Sequence, residues 1–247
     1  MIIGTNTAAV PMGSKNNISV AFGNGAEPSP VPTENLMVWY DADDSDTIAE
    51  TSGALDSWGD RSGNGNGLSQ SGSARPTYTL NAQNGKPVIR FDGSDDYLQL
   101  ATWASGTITQ PFTIFAVWSY PADNAFRYVV DGGSAANRNY IVVDKVSSVR
   151  EYNINEIKTS GDPPPSSCRQ YTYFFDGASS DLRRNESSIL SGDFNTIDSG
   201  GITFARRYDT SDFSAIDVAE VLIYEAELSD SDRDDIEEYL IDKWDPT

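Results

Sequence analysis

The sequence predicts an all-β fold: one antiparallel two-sheet sandwich, closed by a C-terminal helix and preceded by an extended arm. Three observations point there. Short runs of β-branched and aromatic residues recur from Leu36 to Tyr224, separated by turns rich in Gly, Asn and Asp. No stretch of helical period alternates with them, which argues against βαβ units. A length of 247 residues suits one large sandwich better than two domains and a linker.

The elements follow in order. Residues 1–33 contain one aromatic, four prolines, four glycines, one Lys and one Glu, and end in Glu27-Pro28-Ser29-Pro30-Val31-Pro32, a stiff extended spacer. Within this arm Ile18-Ser19-Val20-Ala21-Phe22 alternates like a short strand, which needs a partner sheet to bury its face. The domain is expected over 34–247. Leu36–Tyr40, Pro87–Phe91, Tyr97–Leu100, Phe112–Trp118, Tyr171–Phe175, Ile202–Ala205 and Val218–Tyr224 are predicted strands. Tyr128–Val130 and Tyr140–Val143 form a predicted hairpin around Asp131-Gly132-Gly133. Residues 150–200 carry little pattern beyond Tyr171–Phe175. The helix is expected over 229–243: Ser229 is a good N-cap and Asp230, Asp232, Asp234 and Asp235 crowd its positive end. Ile236, Tyr239, Leu240 and Lys243-Trp244 make one stripe for it to lay across the sandwich.

Composition excludes several chemistries. There is no His, so Ser-His-Asp and Cys-His nucleophiles and His-ligated zinc are absent. One cysteine, Cys168, permits no intrachain disulfide and reads as a plain thiol. A net charge of −20 disfavours nucleic acid and anionic membranes. Residues 217–247 alone hold twelve acids and two bases, which suits solubility or divalent cations. The opening Met1-Ile2-Ile3-Gly4-Thr5 has no basic or apolar region of a secretory signal, and no apolar run is long enough for membrane insertion.

Four segments together carry a resemblance. They are Leu36-Met37-Val38-Trp39-Tyr40-Asp41-Ala42, Trp58-Gly59-Asp60-Arg61-Ser62-Gly63-Asn64-Gly65, Pro87-Val88-Ile89-Arg90-Phe91-Asp92-Gly93-Ser94-Asp95-Asp96-Tyr97-Leu98, and Val218-Ala219-Glu220-Val221-Leu222-Ile223-Tyr224 with the helix through Trp244. In order and spacing, over roughly 34–246, they resemble the concanavalin A-like lectin/glucanase superfamily, in its laminin-G-like branch of bacterial and phage proteins. The resemblance implies a jelly roll with the first and last strands side by side. It leaves function open, since one fold hosts lectins, adhesive modules, glycanases and virion parts.

Asp92-Gly93-Ser94-Asp95-Asp96 offers several oxygens in a short loop, which suits Ca²⁺. The resemblance nominates Asp95 and Asp96 as its ligands; the same residues also suit a hairpin turn with capped amides. No other cofactor is called for. Asp41, Asp43, Asp44 and Asp46 form a second acidic loop that reads as a solvated turn. Trp39, Trp58, Trp118 and Trp244 read as core. Trp103, between Thr102 and Ala104, is a loop aromatic able to stack on a sugar, though folding back over the sheet suits it slightly better; Tyr208, after Arg206-Arg207, is a weaker loop aromatic of the same type. The Glu-x-Asp-x-x-Glu strand of jelly-roll glucanases is missing. Glu220 and Glu225, five apart, would face opposite sides of one strand, and Glu220 reads as a structural acid.

The expected function is therefore non-enzymatic binding or docking. The first setting is a phage virion surface, as a head-decoration or tail-associated component, with Ile18, Val20 and Phe22 docking on other virion proteins or on copies of itself. The alternative is a carbohydrate-binding adhesion module of a bacterial surface protein, reached without a secretory signal. A glycan-cleaving enzyme is the third reading.

Overall fold

The computed structural model describes residues 30–119, 127–135, 137–139, 141–146, 149–154, 157–160, 167–209 and 212–246. Ile18, Val20 and Phe22, on which the docking strand rests, lie outside them. In chain order the strands are β1 (Leu36–Asp41), β2 (Ile48–Thr51), β3 (Ala54–Trp58), β4 (Leu68–Ser69), β5 (Thr77–Gln83), β6 (Lys86–Asp92), β7 (Leu98–Leu100), β8 (Phe112–Ser119) and β9 (Arg127–Asp131). They continue with β10 (Ile141–Val146), β11 (Val149–Ile154), β12 (Ile157–Ser160), β13 (Arg169–Phe175), β14 (Ser180–Arg184), β15 (Ser187–Gly192), β16 (Ile202–Phe204) and β17 (Ala215–Tyr224), and helix α1 spans Asp230–Trp244.

Two sheets result, and their strand pairs are antiparallel. The larger runs β15-β14-β13-β8-β17-β6-β5-β3-β2, with β1 added to β17 and β4 to β3; the smaller runs β12-β11-β10-β9-β16-β7. Strand β17 is the hub. One edge pairs with β8, while the other pairs with β6 over Ala215–Val218 and with β1 over Glu220–Tyr224. The first and last strands described are thus side by side, as the sequence resemblance implies.

The sheets face each other across an aromatic core. Tyr40 of β1 and Trp58 of β3 pack on Phe204 of β16, with ring centroids 6.2 and 6.4 Å away. Deeper in, Trp118 stacks on Tyr171 and Phe112 on Phe175, both at 4.7 Å. Strand β8 is buried at every residue. Its Ile114 side meets the smaller sheet and its other side lies under α1, which is why its sequence is a continuous apolar run.

Helix α1 lies on the outer face of the larger sheet. Ser229 caps it, accepting from the Asp232 amide at 3.1 Å, and Ile236, Leu240 and Trp244 are buried at i, i+4 and i+8 spacing. Two carboxylates are buried in this contact as well. Glu237 accepts from Thr172 Oγ1 at 2.6 Å and from Arg183 Nε at 2.9 Å. Glu220 on β17 is fully buried. It accepts from Trp39 Nε1 (2.7 Å), Trp244 Nε1 (2.7 Å), Lys243 Nζ (2.8 Å) and Tyr239 Oη (2.9 Å). Its cross-strand neighbour Asp41 takes a second contact from Lys243 at 2.7 Å and one from Arg61 at 2.6 Å. Burial pushes the Glu220 carboxyl up, Asp41 adds to that, and Lys243 and the Trp244 donor pull it back. The structural role expected of Glu220 is this knot, which ties β1, β17 and α1 together.

Several sequence expectations are refined. Val31 is buried and the Pro32 carbonyl accepts from Tyr224 Oη at 2.9 Å, so both residues pack on the domain although composition groups them with the arm. The second acidic loop is not simply solvated: Asp43 pairs with Lys86 at 2.7 Å and Asp44 with Arg61 at 2.9 Å. Cys168 is buried, and burial pushes its thiol up to about 12, which makes it inert. Trp58, Trp118 and Trp244 are core, whereas Trp39 is half-buried with the Arg61 guanidinium 3.9 Å above its ring.

Candidate functional site at the rim of the sheets

Strand β6 ends in Asp92 and turns at once through Gly93. The turn needs glycine twice over: φ is +76°, and a Cβ would lie 2.8 Å from the Ala215 amide nitrogen. The loop is thereby pressed against the start of β17. Asp92 Oδ1 accepts from the Ser94 amide at 2.7 Å and from the Asp95 amide at 3.4 Å, while Asp96 Oδ2 accepts from the Asp92 amide at 3.0 Å. These are the capped amides that the turn reading expects.

The same fold of the loop gathers three carboxylates. One oxygen from each of Asp92, Asp95 and Asp96 lies within 4.8 Å of the others. Oxygens around a Ca²⁺ at ~2.4 Å can be no more than ~4.8 Å apart, so the donor set fits that ion, with waters supplying the rest of its six to eight ligands. Asp96 is buried and Asp92 exposed. Burial, with the charges of Asp92 and Asp95, raises Asp96 from the usual 3.8 to about 6 against a hydrogen bond from the Asp92 amide. For Asp92 partial burial is outweighed by hydrogen bonds from the loop, and its carboxyl sits below the usual value.

Beside this loop, on the outer face, is an open cleft of about 410 Å³ lined by residues that include Thr77, Arg90, Asp92, Ser119, Ala215 and Asp217. Arg90 and Asp217 are paired neighbours on β6 and β17. They meet fork to fork, Nε to Oδ1 at 2.8 Å and Nη2 to Oδ2 at 2.7 Å. The Arg90 side chain is 49% exposed and that of Asp217 19%, so the pair is presented to the cleft rather than sealed. Asp92 belongs to both the carboxylate triad and the cleft.

The loop after β16 packs on Tyr97, next in sequence to the acidic loop. The Arg206 guanidinium lies 3.5 Å over the Tyr97 ring and contacts Gln99 Oε1 and the Tyr208 carbonyl, each at 3.3 Å. Tyr97 also packs on Phe213, 6.4 Å away. Tyr208 is half-buried; its amide donates to Asp131 Oδ2 at 3.1 Å. Asp131 is fully buried and clamped by Arg138 at 2.6 and 2.7 Å, whose guanidinium lies 5.3 Å from the Tyr208 ring. Tyr208, Asp95 and Asp96 thus sit on one rim, linked through Arg206 and Tyr97.

Trp103 is elsewhere. Its ring is 3% exposed, its Nε1 donates to Ser199 Oγ at 3.2 Å, and it shares a small internal cavity with Ile114 and Ile223. A ring so buried offers no face to a sugar, which removes Trp103 as a ligand platform. Sequence reasoning missed Arg90, Asp217 and Arg206. Alternation in Val88-Ile89-Arg90-Phe91 puts Arg90 on the face opposite Ile89 and Phe91, so its outward position had a signal. Its pairing with Asp217, 127 residues on, had none.

No family model matches the chain, and no curated protein matches it in sequence. Solved structures do resemble it. One is an arabinofuranosidase complexed with arabinofuranosyl-α-1,2-xylobiose: TM-score 0.59 and 14% identity, over 77% of this chain and 51% of that one. A Trypanosoma rangeli sialidase in complex with sialic acid gives TM-score 0.57 and 12% identity over 86% of this chain and 34% of that one. The binding domain of botulinum neurotoxin serotype D gives TM-score 0.59 and 12% identity over 85% and 52%. The chain spans between a third and about half of these proteins. At such identities the likeness is one of fold, an all-β architecture found in glycosidases and in toxin binding domains.

Proposed function

We propose that the chain is a non-catalytic, lectin-like binding domain of concanavalin A-like jelly-roll type, and that it holds a glycan in the rim cleft. The observation that carries this is the Arg90–Asp217 fork at the cleft, with Asp92 beside it. Planar pairs of donor and acceptor match adjacent sugar hydroxyls, each of which both donates and accepts. Structures of similar fold include parts of glycosidases and a toxin binding domain, with which a binding role is compatible. The Glu220 carboxylate is engaged by four donors under α1, in keeping with the structural role read for it. The setting we favour is a phage virion surface with the arm as anchor; a bacterial adhesion module is the alternative.

The test is a screen of the purified full-length chain against immobilised oligosaccharides, with reducing ends measured in parallel. Binding should be lost in both Arg90→Ala and Asp217→Ala, whose exposed pair contributes little to stability, and no new ends should form. Binding unaffected by both substitutions would move the site elsewhere. Turnover abolished by one carboxylate substitution would make the chain an enzyme.

A further inference from the structure

We infer that the cleft selects a neutral, hydroxyl-rich sugar over an acidic one; this rests on the glycan-binding reading above and specifies its ligand. The argument is one of charge. Arg90 brings the guanidinium that lines the cleft, and both forks of that group toward β17 are met by Asp217. The pair is therefore self-neutralised. Asp92 adds an exposed carboxylate to the same cleft. Asp95 and Asp96 stand directly behind it. A ligand carboxylate placed here meets Asp92 and Asp217, and the Arg90 charge that faces it is already paired.

A cation in the loop does not reverse this. Three aspartates with one divalent ion still leave the loop negative. The contacts that remain are those of a neutral polyol. The fork uses Arg90 Nε–H and one Nη2–H, which leaves both Nη1 hydrogens and the second Nη2 hydrogen as donors, and each Asp217 oxygen keeps an accepting lone pair. One sugar hydroxyl can accept from Nη1 while its neighbour donates to Asp217. Thr77 and Ser119 add hydroxyls at the edge. About 410 Å³ is at the small end of ligand sites, typically ~300–1,000 Å³, and suits a mono- or disaccharide unit.

The experiment is calorimetric titration of the full chain with three ligand sets of matched length: neutral arabinoxylo-oligosaccharides, oligogalacturonates with sialyllactose, and cationic chitosan oligosaccharides. Each is run with and without calcium and at two salt concentrations. Neutral ligands should bind at least about tenfold tighter than acidic ones. The gap should narrow in Asp92→Asn and in high salt, which screens exposed charge. Acidic ligands binding as tightly as neutral ones would overturn the inference and leave the glycan reading standing. A preference above tenfold for the cationic set would also overturn it. No binding by any set would remove the glycan reading itself, and the inference with it.

Discussion

Replacing Glu220 tests whether the buried knot holds α1 to the sheet. In Glu220→Ala the indole N–H of Trp244, fully buried, loses its acceptor, as do Trp39 Nε1 and Tyr239 Oη, which are half-buried. A buried donor left unpaired costs about 1–3 kcal/mol. Trp244 counts in full, and the two half-buried groups can recruit water and count for less. Lys243 keeps Asp41. The sum is about 3–5 kcal/mol, the range for breaking a buried charged pair by removing one partner. Glu220→Gln separates this from cavity formation. It conserves shape but keeps one acceptor, and its amide NH₂ must face three N–H donors and one hydroxyl, Tyr239, that can turn to accept, so it should cost about 2–3 kcal/mol. Urea unfolding followed by tryptophan fluorescence reads both values, since two of the five tryptophans touch the carboxylate. For a domain of this size about 1 kcal/mol moves the Tm by ~2–4 °C, so Glu220→Gln should melt ~4–12 °C lower. A Glu220→Gln variant within ~0.5 kcal/mol of wild type would refute the reasoning, because it would mean the four donors are satisfied without a carboxylate.

Asp96, raised to about 6 by burial and its acidic neighbours, binds its proton more tightly folded than unfolded. Its contribution is therefore greatest below about pH 4 and declines as pH rises to about 6; the Tm of wild type measured relative to that of Asp96→Asn should fall across that window. Calcium at 100 times its Kd should add about 2.7 kcal/mol at neutral pH, an effect removed by chelator and absent in Asp96→Asn; no effect of calcium on melting would leave the loop a hydrogen-bonded turn. Trp103→Ala should cost about 3–5 kcal/mol by opening the core, with glycan affinity of the folded fraction unchanged; lost affinity at wild-type stability would restore Trp103 as a ligand residue. Deleting residues 1–29 should leave melting unchanged and abolish self-association or particle incorporation, whereas deleting 1–33 should cost a further ~2 kcal/mol by removing buried Val31 and the Tyr224 partner. Assembly of either truncation at wild-type stoichiometry would show that the arm is no anchor.

The strands that pack both faces were legible because they read as apolar runs with turns around them: Phe112–Ser119 and Ala215–Tyr224 came within a few residues of expectation. So did α1, through its cap and stripe. The β14–β15 hairpin was not. Its residues are Ser- and Arg-rich, and its turn places Asn185 and Glu186 at φ +44° and +66°, a geometry usually signalled by Asn-Gly. Strands β2, β3 and β5 were not among the predicted strands, because their residues are mostly half-exposed and mixed in polarity. At the site, the acidic loop was visible as local sequence. The cleft was not, because it depends on the register between β6 and β17. Trp103 shows the limit of inferring exposure from loop-like neighbours: Thr102, Ala104 and Ser105 are polar or small, yet the ring between them is core.

Strand β17 follows sixteen others among the described residues, yet it is the seam of the larger sheet. Before it emerges from a ribosome, β8 with β13–β15 and β6 with β5, β3 and β2 are two unjoined half-sheets, each with an open apolar edge. Local hairpins can form early, but the pairings that fuse the halves link residues 98 to 129 positions apart. Such closure is slow and leaves sticky intermediates. The domain should therefore acquire protease resistance only once its last strand and helix are free, and nascent chains arrested ahead of Ala215 should be the ones that chaperones hold.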